Sequence, residues 1–293
     1  MAEEQAGNNR GRSLKGILIA LGLGAVMAFA GSQGGAFIGP LPAFAACALL
    51  AFTVQWLVFI PAFITQSEKY YDFTGSLTYL SVAALAASVH GDPRSLLLGA
   101  LIAVWALRLG TFLFLRIRAA GSDSRFDSIK GDPVRFLLTW TLQGLWVVMT
   151  AAAALAAMTA QTRVPLGPIA GAGLLLWAAG FAIEVVADNQ KRHFRRDPDN
   201  RGRFIRHGLW AWSRHPNYFG EILLWLGVAI IALPALSGWQ YLTLLSPLFV
   251  FLLLTRVSGI PPLEAQAGKR WGDDPDYRAY RDSTPVLWPR PPA

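Results

Sequence analysis

Eight long apolar blocks, near 14–31, 41–65, 74–90, 95–115, 134–160, 168–187, 218–236 and 239–256, leave this chain few ways to fold. A helix needs about 20 mostly apolar residues to cross the hydrocarbon of a bilayer, and the blocks approach or reach that length. Lipid offers no water to unpaired backbone groups, so such blocks satisfy themselves as helices. Composition agrees: 15% of residues are charged, against about 25% in a soluble domain. The expected architecture is an all-α integral membrane bundle of about eight transmembrane helices. Seven to nine are allowed, because the third block is short and the last two are parted only by the Pro234–Gly238 turn. The first block lacks a clear cleavage site and reads as a span, not a signal peptide.

Lysine and arginine set the expected orientation. With the N-terminus in the cytoplasm, 23 of the 26 basic residues fall on that side. Only Arg94 and Arg163 fall outside, and Arg108 lies within the fourth block. The net charge of +8 is therefore topological, and no nucleic-acid partner is expected. Both termini are expected in the cytoplasm, with the chain in a bacterial inner membrane. The polar stretches 116–133, 188–217 and 258–293 share that side as loops that can close over a pocket. The single cysteine, Cys47, sits in an apolar block as a packing residue, and no metal-ligand spacing occurs.

Polar chemistry concentrates in residues 184–221. Asp188, Lys191, Arg192 and Arg195 recur at helical spacing, so cations can converge on one side of a helix end. Lipid headgroup anchoring needs only charge, whereas this segment adds Glu184, Asn189 and Gln190. Further on, Pro216 suits the first turn of the seventh span. Asn217 and Glu221 stack four residues apart, with Trp225 one turn beyond. Glu221 lies about one turn inside an apolar helix, where an ionisable group is costly and marks a candidate site. Its structural alternative is an ion pair with Arg214 or a loop arginine. His215 reads as a cap or cofactor contact, since no second histidine stands at metal-ligand spacing.

The run Asn189-Gln190-Lys191…Phe194-Arg195, the run Arg214-His215-Pro216-Asn217-Tyr218…Gly220-Glu221, and the closing Trp271-Gly272…Tyr277-Arg278-Ala279-Tyr280…Pro289 occur in that order. Over residues 100 to 289 this pattern resembles the DUF1295 branch of the steroid 5α-reductase and sterol reductase superfamily. The resemblance implies a helical membrane oxidoreductase that takes NADPH from the cytosol and reduces a C=C bond of a lipophilic substrate. Asp188, Asn189, Lys191, Arg195, Arg214, His215, Asn217, Tyr218 and Glu221 would then line the cofactor cavity, with Tyr280 and a tail arginine closing it. NADPH carries phosphates that call for arginine and lysine, and hydroxyls and a carboxamide that call for Asn, Asp and Glu. Trp212 is the tryptophan expected to stack on a cofactor ring, with Trp225 as the other choice. Residues 1–12 form a polar tail. Residues 13–120 would be the substrate side, and 121–293 the NADPH-binding half of one domain.

The substrate end is less defined. Arg108, buried in an apolar block, needs an anion, which Glu68, Asp72 or a cofactor phosphate could supply. In the resembling family a glutamate and a tyrosine polarise an enone carbonyl. The glutamate's place falls near Glu68 to Asp72, but the tyrosine's falls near Trp105, which has no acidic proton. Asp72, Tyr71 and Glu68 are therefore the candidate catalytic residues. Two other readings stand beside the reductase. Isoprenylcysteine and phospholipid methyltransferases share an Arg-His-Pro-x-Tyr motif and a Glu…Gly…Tyr…Tyr ending, matched by Glu264, Gly272, Tyr277 and Tyr280, which would cradle S-adenosylmethionine. A non-catalytic lipid-binding protein would keep the basic loop without needing Glu221 and Asn217.

Overall fold

The computed structural model describes residues 2–121, 123 and 126–292. The chain is helical nearly throughout. Its elements are α1 (Ala2–Ser32), a two-rung hairpin pairing Phe37–Ile38 with Leu41–Pro42, α2 (Ala43–Ile64), α3 (Tyr71–His90), α4 (Pro93–Ala120), α5 (Pro133–Thr159), α6 (Pro168–Arg196), α7 (Pro216–Ala232), α8 (Ser246–Leu252), α9 (Ile260–Trp271) and α10 (Pro275–Ser283). Among the described residues, 7 helical stretches are long and apolar enough to cross a membrane. This is an all-α, multi-pass membrane protein.

Three local outcomes differ from the sequence expectation. α1 reaches back to Ala2, so the polar tail is a helical extension of the first span. α3 is 20 residues long but falls outside the apolar set, because hydroxyls interrupt it. Thr74, Thr78 and Ser81 each return their hydroxyl to the carbonyl four residues earlier, which satisfies the hydroxyl proton within the helix. The last block is not one straight helix. It runs as a 3₁₀ stretch over Gly238–Leu245, then α8, then a π turn over Leu253–Val257, before Gly259 and α9.

Two compact units are present: residues 1–167 with 231–246, and residues 168–230 with 247–293. In the first, α5 is the central helix and packs against α1, α2, α3 and α4. Its alanine run, Ala151 to Ala154 with Ala156 and Ala157, is buried, which is the close packing that small residues permit. Asp92 caps α4 by accepting from the N–H groups of Arg94 and Ser95. Arg94 is 3% exposed and gives its guanidinium to the carbonyls of Val164, Pro165 and Ile231, joining three segments. Between α2, α3 and α5 lies an uncharged polar seam. Gln55 donates to Thr78 (2.9 Å), and Trp56 donates to Thr141 (3.1 Å).

In the second unit α6 and α7 approach backbone to backbone. A Cβ on Gly220 would lie 2.5 Å from the Gly180 carbonyl oxygen and 2.7 Å from the Glu184 nitrogen. One on Gly227 would lie 2.6 Å from the Gly173 carbonyl oxygen. Gly173 and Gly180, like Gly220 and Gly227, are seven residues apart, so both helices turn the same glycine-bearing stripe inward. The close approach sets the last turns of α6 beside the first turns of α7, where the polar residues lie.

Candidate functional site

The site grows from the α6–α7 contact. Asp188, nearly buried on α6, accepts from the Asn217 side chain of α7 at 3.2 Å. One turn further along α6, Lys191 stands 4.2 Å from the centre of the Trp210 ring, a cation–π arrangement. Arg192 turns away to the Asn189 side chain (2.9 Å). Arg195 is an exposed residue of the last turn of α6.

The loop after α6 folds back on it. Ile205 and Trp210 pack on Ala187, and the Trp210 indole donates to the Ala187 carbonyl. Gly208 makes the turn with φ of +62°, and its Cα faces the Gln190 amide so closely that a side chain would collide with it. The turn delivers the Leu209 N–H to the Gln190 side-chain oxygen at 2.9 Å.

The C-terminal segment then straps this loop. Arg214 N–H donates to the Pro285 carbonyl, Ser213 Oγ to that of Leu287, and Arg290 N–H to that of Trp212. Tyr280, on α10, donates its hydroxyl to the Trp210 carbonyl at 2.7 Å. Burial pushes the Tyr280 hydroxyl pKa well above its ordinary value, so this proton stays in place at neutral pH. Phe204 fixes the same corner, with ring centres 5.1 Å from Tyr277 and 5.5 Å from Tyr280. Arg290 joins this strap through its backbone N–H.

At the centre, Glu264 of α9 binds two neighbours at once. One oxygen accepts from Arg214 at 2.6 Å and the other meets His215 Nε2 at 2.8 Å. Arg214 thus forms an ion pair with Glu264 across 50 residues of sequence. The His215 ring stacks on Tyr218 at 5.6 Å, with planes 7° apart. Burial lowers the His215 pKa, an effect that the Glu264 hydrogen bond opposes but does not cancel. His215 is therefore neutral at pH 7, and Arg214 and Glu264 offset each other, so this corner offers directed hydrogen bonds more than net charge. Arg214 Nε is buried and has no hydrogen-bond partner. Glu221 lies on α7 one turn beyond Asn217, half-buried. Trp212 is 42% exposed, whereas Trp225 is buried at 1%.

The other candidates lie in the first unit. Glu68 is 6% exposed and accepts from the Asp123 N–H (2.8 Å) and Lys130 Nζ (2.7 Å). Burial alone would raise the Glu68 pKa, but these bonds outweigh it and hold the carboxyl below its ordinary value. Tyr71 gives its hydroxyl to the Thr139 carbonyl and packs edge-on to Phe126 and Trp140. Asp72 pairs with Arg116 at 3.4 Å, two turns past Arg108. The Arg108 guanidinium lies 5.5 Å from the Phe112 ring, and Trp105 meets Tyr79 edge-on at 5.1 Å. Sequence reasoning missed Gln55, Thr78 and Gln143 as buried polar groups, and Arg94 as a buried cation. It also gave Glu264 only to the methyltransferase reading. Charged or amide residues inside apolar blocks are the signal that was available for Gln55 and Gln143.

Comparison with known proteins gives a consistent setting. The family described as "Protein of unknown function (DUF1295)" matches residues 58–284. The chain is similar to the probable O-methyltransferase ustE of Ustilaginoidea virens, 27% identical over 166 residues, which cover 52% of this chain and 55% of that protein. It is similar to steroid 5-alpha-reductase DET2 of Gossypium hirsutum, 31% identical over 34% of each chain. Against 3-oxo-5-alpha-steroid 4-dehydrogenase 1 of Homo sapiens it is 36% identical over 58 residues, 20% of this chain and 22% of that one. The chain thus spans about half the length of the first of these relatives and less of the others. No solved structure matches it.

Proposed function

The chain belongs to the DUF1295 family, and from that membership we propose that it is a membrane reductase that uses NADPH to reduce a C=C bond of a lipophilic substrate. The observation that carries the reading is the ring of polar groups gathered by α6, α7, α9, α10 and the tail, with Arg214 Nε buried and partnerless among them. The relatives named as steroid reductases support the same class. The residues fit the cofactor by chemistry. Lys191 and Arg195 supply the cations a dinucleotide's phosphates require, while Asp188, Asn217, His215 and Tyr280 supply the uncharged and acceptor groups that hydroxyls and a carboxamide require. When bound, NADPH supplies the hydride. Arg214, held by Glu264, would help hold it, and the tail is bonded over Ser213 and Arg214 beside that corner. Glu68, Tyr71 and Asp72 have partners within their own unit, so the proposal rests on the second unit alone. In the cell, this reading places the polar loops and the cofactor in the cytosol, following the basic-residue asymmetry.

A second reading, an S-adenosylmethionine-dependent methyltransferase, is favoured by one observation. Glu264 neutralises Arg214, and a corner without net positive charge suits a ligand without phosphates. The relative named as an O-methyltransferase points the same way. Energy transfer from the protein's tryptophans to NADPH, in detergent, separates the two. Saturable transfer that NADH displaces weakly and Arg195→Ala abolishes supports the reductase. Absent transfer together with tight S-adenosylmethionine binding sinks it.

A further inference from the structure

Glu264 holds two adjacent residues of the proposed cofactor corner, and its effect on each differs. We propose that Glu264 is a positioning residue that fixes the His215 imidazole with its proton on Nε2, so that Nδ1 offers a lone pair to a hydrogen-bond donor of the cofactor, while Arg214 Nε is left for an acceptor of the same ligand. The inference rests on the reading of Arg214 to Tyr218 as cofactor-binding residues and goes beyond it by assigning what this corner recognises.

The argument begins with the carboxylate. Glu264 forms an ion pair with Arg214 at 2.6 Å and is therefore an acceptor only. The ring nitrogen 2.8 Å from its other oxygen must carry a hydrogen. His215 is 5% exposed, and burial, reinforced by Lys191 on α6 and by neighbouring Arg214, keeps the ring neutral against the pull of Glu264. A neutral imidazole with hydrogen on Nε2 has its acceptor at Nδ1. The ring is also held in orientation. It lies flat on Tyr218, and the His215 N–H donates to Ser213 Oγ, which itself donates to the Leu287 carbonyl of the tail.

Arg214 completes the pattern. Its Nη1 is taken by Glu264, and its Nε is buried without a partner. The two residues therefore present a donor, at Arg214 Nε, beside an acceptor, at His215 Nδ1. A phosphate oxygen is an acceptor only and satisfies Arg214 but not His215. A ribose hydroxyl satisfies both kinds of group, and so does a carboxamide. The corner is thus specific for a hydroxyl or amide part of the cofactor, and the phosphates belong elsewhere on the second unit.

The test uses the full chain in detergent with ¹⁵N-labelled histidine. Of its 4 histidines, His215 is identified by the signal lost in His215→Gln. The expected wild-type signature is a neutral ring protonated at Nε2. In Glu264→Gln the carboxamide can donate as well as accept, so His215 is expected to populate both tautomers, with NADPH affinity falling about tenfold, the cost of one misdirected buried hydrogen bond. Glu264→Asp should keep the tautomer and recover most of the affinity. A wild-type ring protonated at Nδ1 overturns the proposal. So does a Glu264→Gln variant with lower affinity and an unchanged tautomer, or with unchanged affinity. If the wild type binds S-adenosylmethionine and not NADPH, with the same tautomer and the same Glu264 dependence, the NADPH reading falls and the positioning role stands.

Discussion

Glycines bring helices together in both units, but what they meet differs. In the first unit they receive side chains: a Cβ on Gly144 would come 2.8 Å from the Phe52 ring, and one on Gly24 would come 2.9 Å from the same ring. In the second, Gly180, Gly220 and Gly227 meet backbone atoms of the partner helix. A ring can rotate or shift, whereas a helical backbone cannot move without carrying its helix. The first arrangement builds a core that tolerates adjustment. The second fixes the spacing of α6 and α7, and with it the Asp188–Asn217 pair. The two helix seams also differ in polar content. Between α2, α3 and α5 the buried groups are amides, hydroxyls and indoles, while the α6–α7 end gathers charges. Uncharged seams hold helices together in lipid at low cost, and charges there mark where a ligand is handled.

Breaking this comparison should produce its largest effect at Gly220. Gly220→Ala is expected to destabilise the folded protein by roughly 3 kcal/mol, at the upper end for overpacking and against a helix-propensity gain of about 1 kcal/mol. Gly144→Ala should cost about 1 kcal/mol, because the Phe52 ring can give. Thermal unfolding in detergent checks both, and equal losses would dissolve the distinction.

The two arginines give a sharper contrast. Arg94→Ala leaves three carbonyls without their donor, so stability should fall by roughly 3 kcal/mol with cofactor affinity unchanged. Arg214→Ala should weaken NADPH binding by more than about tenfold with a smaller loss of stability. Titration of each variant alongside its melting curve decides it, and a reversed pattern would assign the two regions the wrong roles.

Acid should act on the first unit through Glu68. Its pKa is lowered in the folded state, so its stabilisation is fully present above the unfolded value of about 4.3 and is lost as pH falls through the folded value. In Glu68→Gln the melting temperature should show less decline below that pH than in the wild type. The smallest effect is expected at Trp212. Because this side chain is exposed, Trp212→Ala should leave melting unchanged, and a loss of NADPH affinity in that variant would mark it as the stacking partner of the cofactor.

Hydropathy and charge placement are local properties of the chain, and they were enough to read the membrane bundle and the polar segment from Asp188 to Glu221. The helical spacing of Asn217 and Glu221 is likewise local and holds on α7. Partnership is not local. Glu264 reaches Arg214 and His215 across about 50 residues, and Arg94 reaches Ile231 across 137. Nothing in the spacing of an arginine says which carboxylate or carbonyl will face it. Lys191 and Arg192 are adjacent in sequence yet turn to different partners, because the Trp210 ring folds back over one of them. The sequence by itself determined which segments are apolar enough to enter lipid and which carry charge, since transfer free energy depends on the residues alone. Only the tertiary structure decided which charge neutralises which, because that depends on how closely helices approach, and here the approach is set by glycines whose partners lie on another helix.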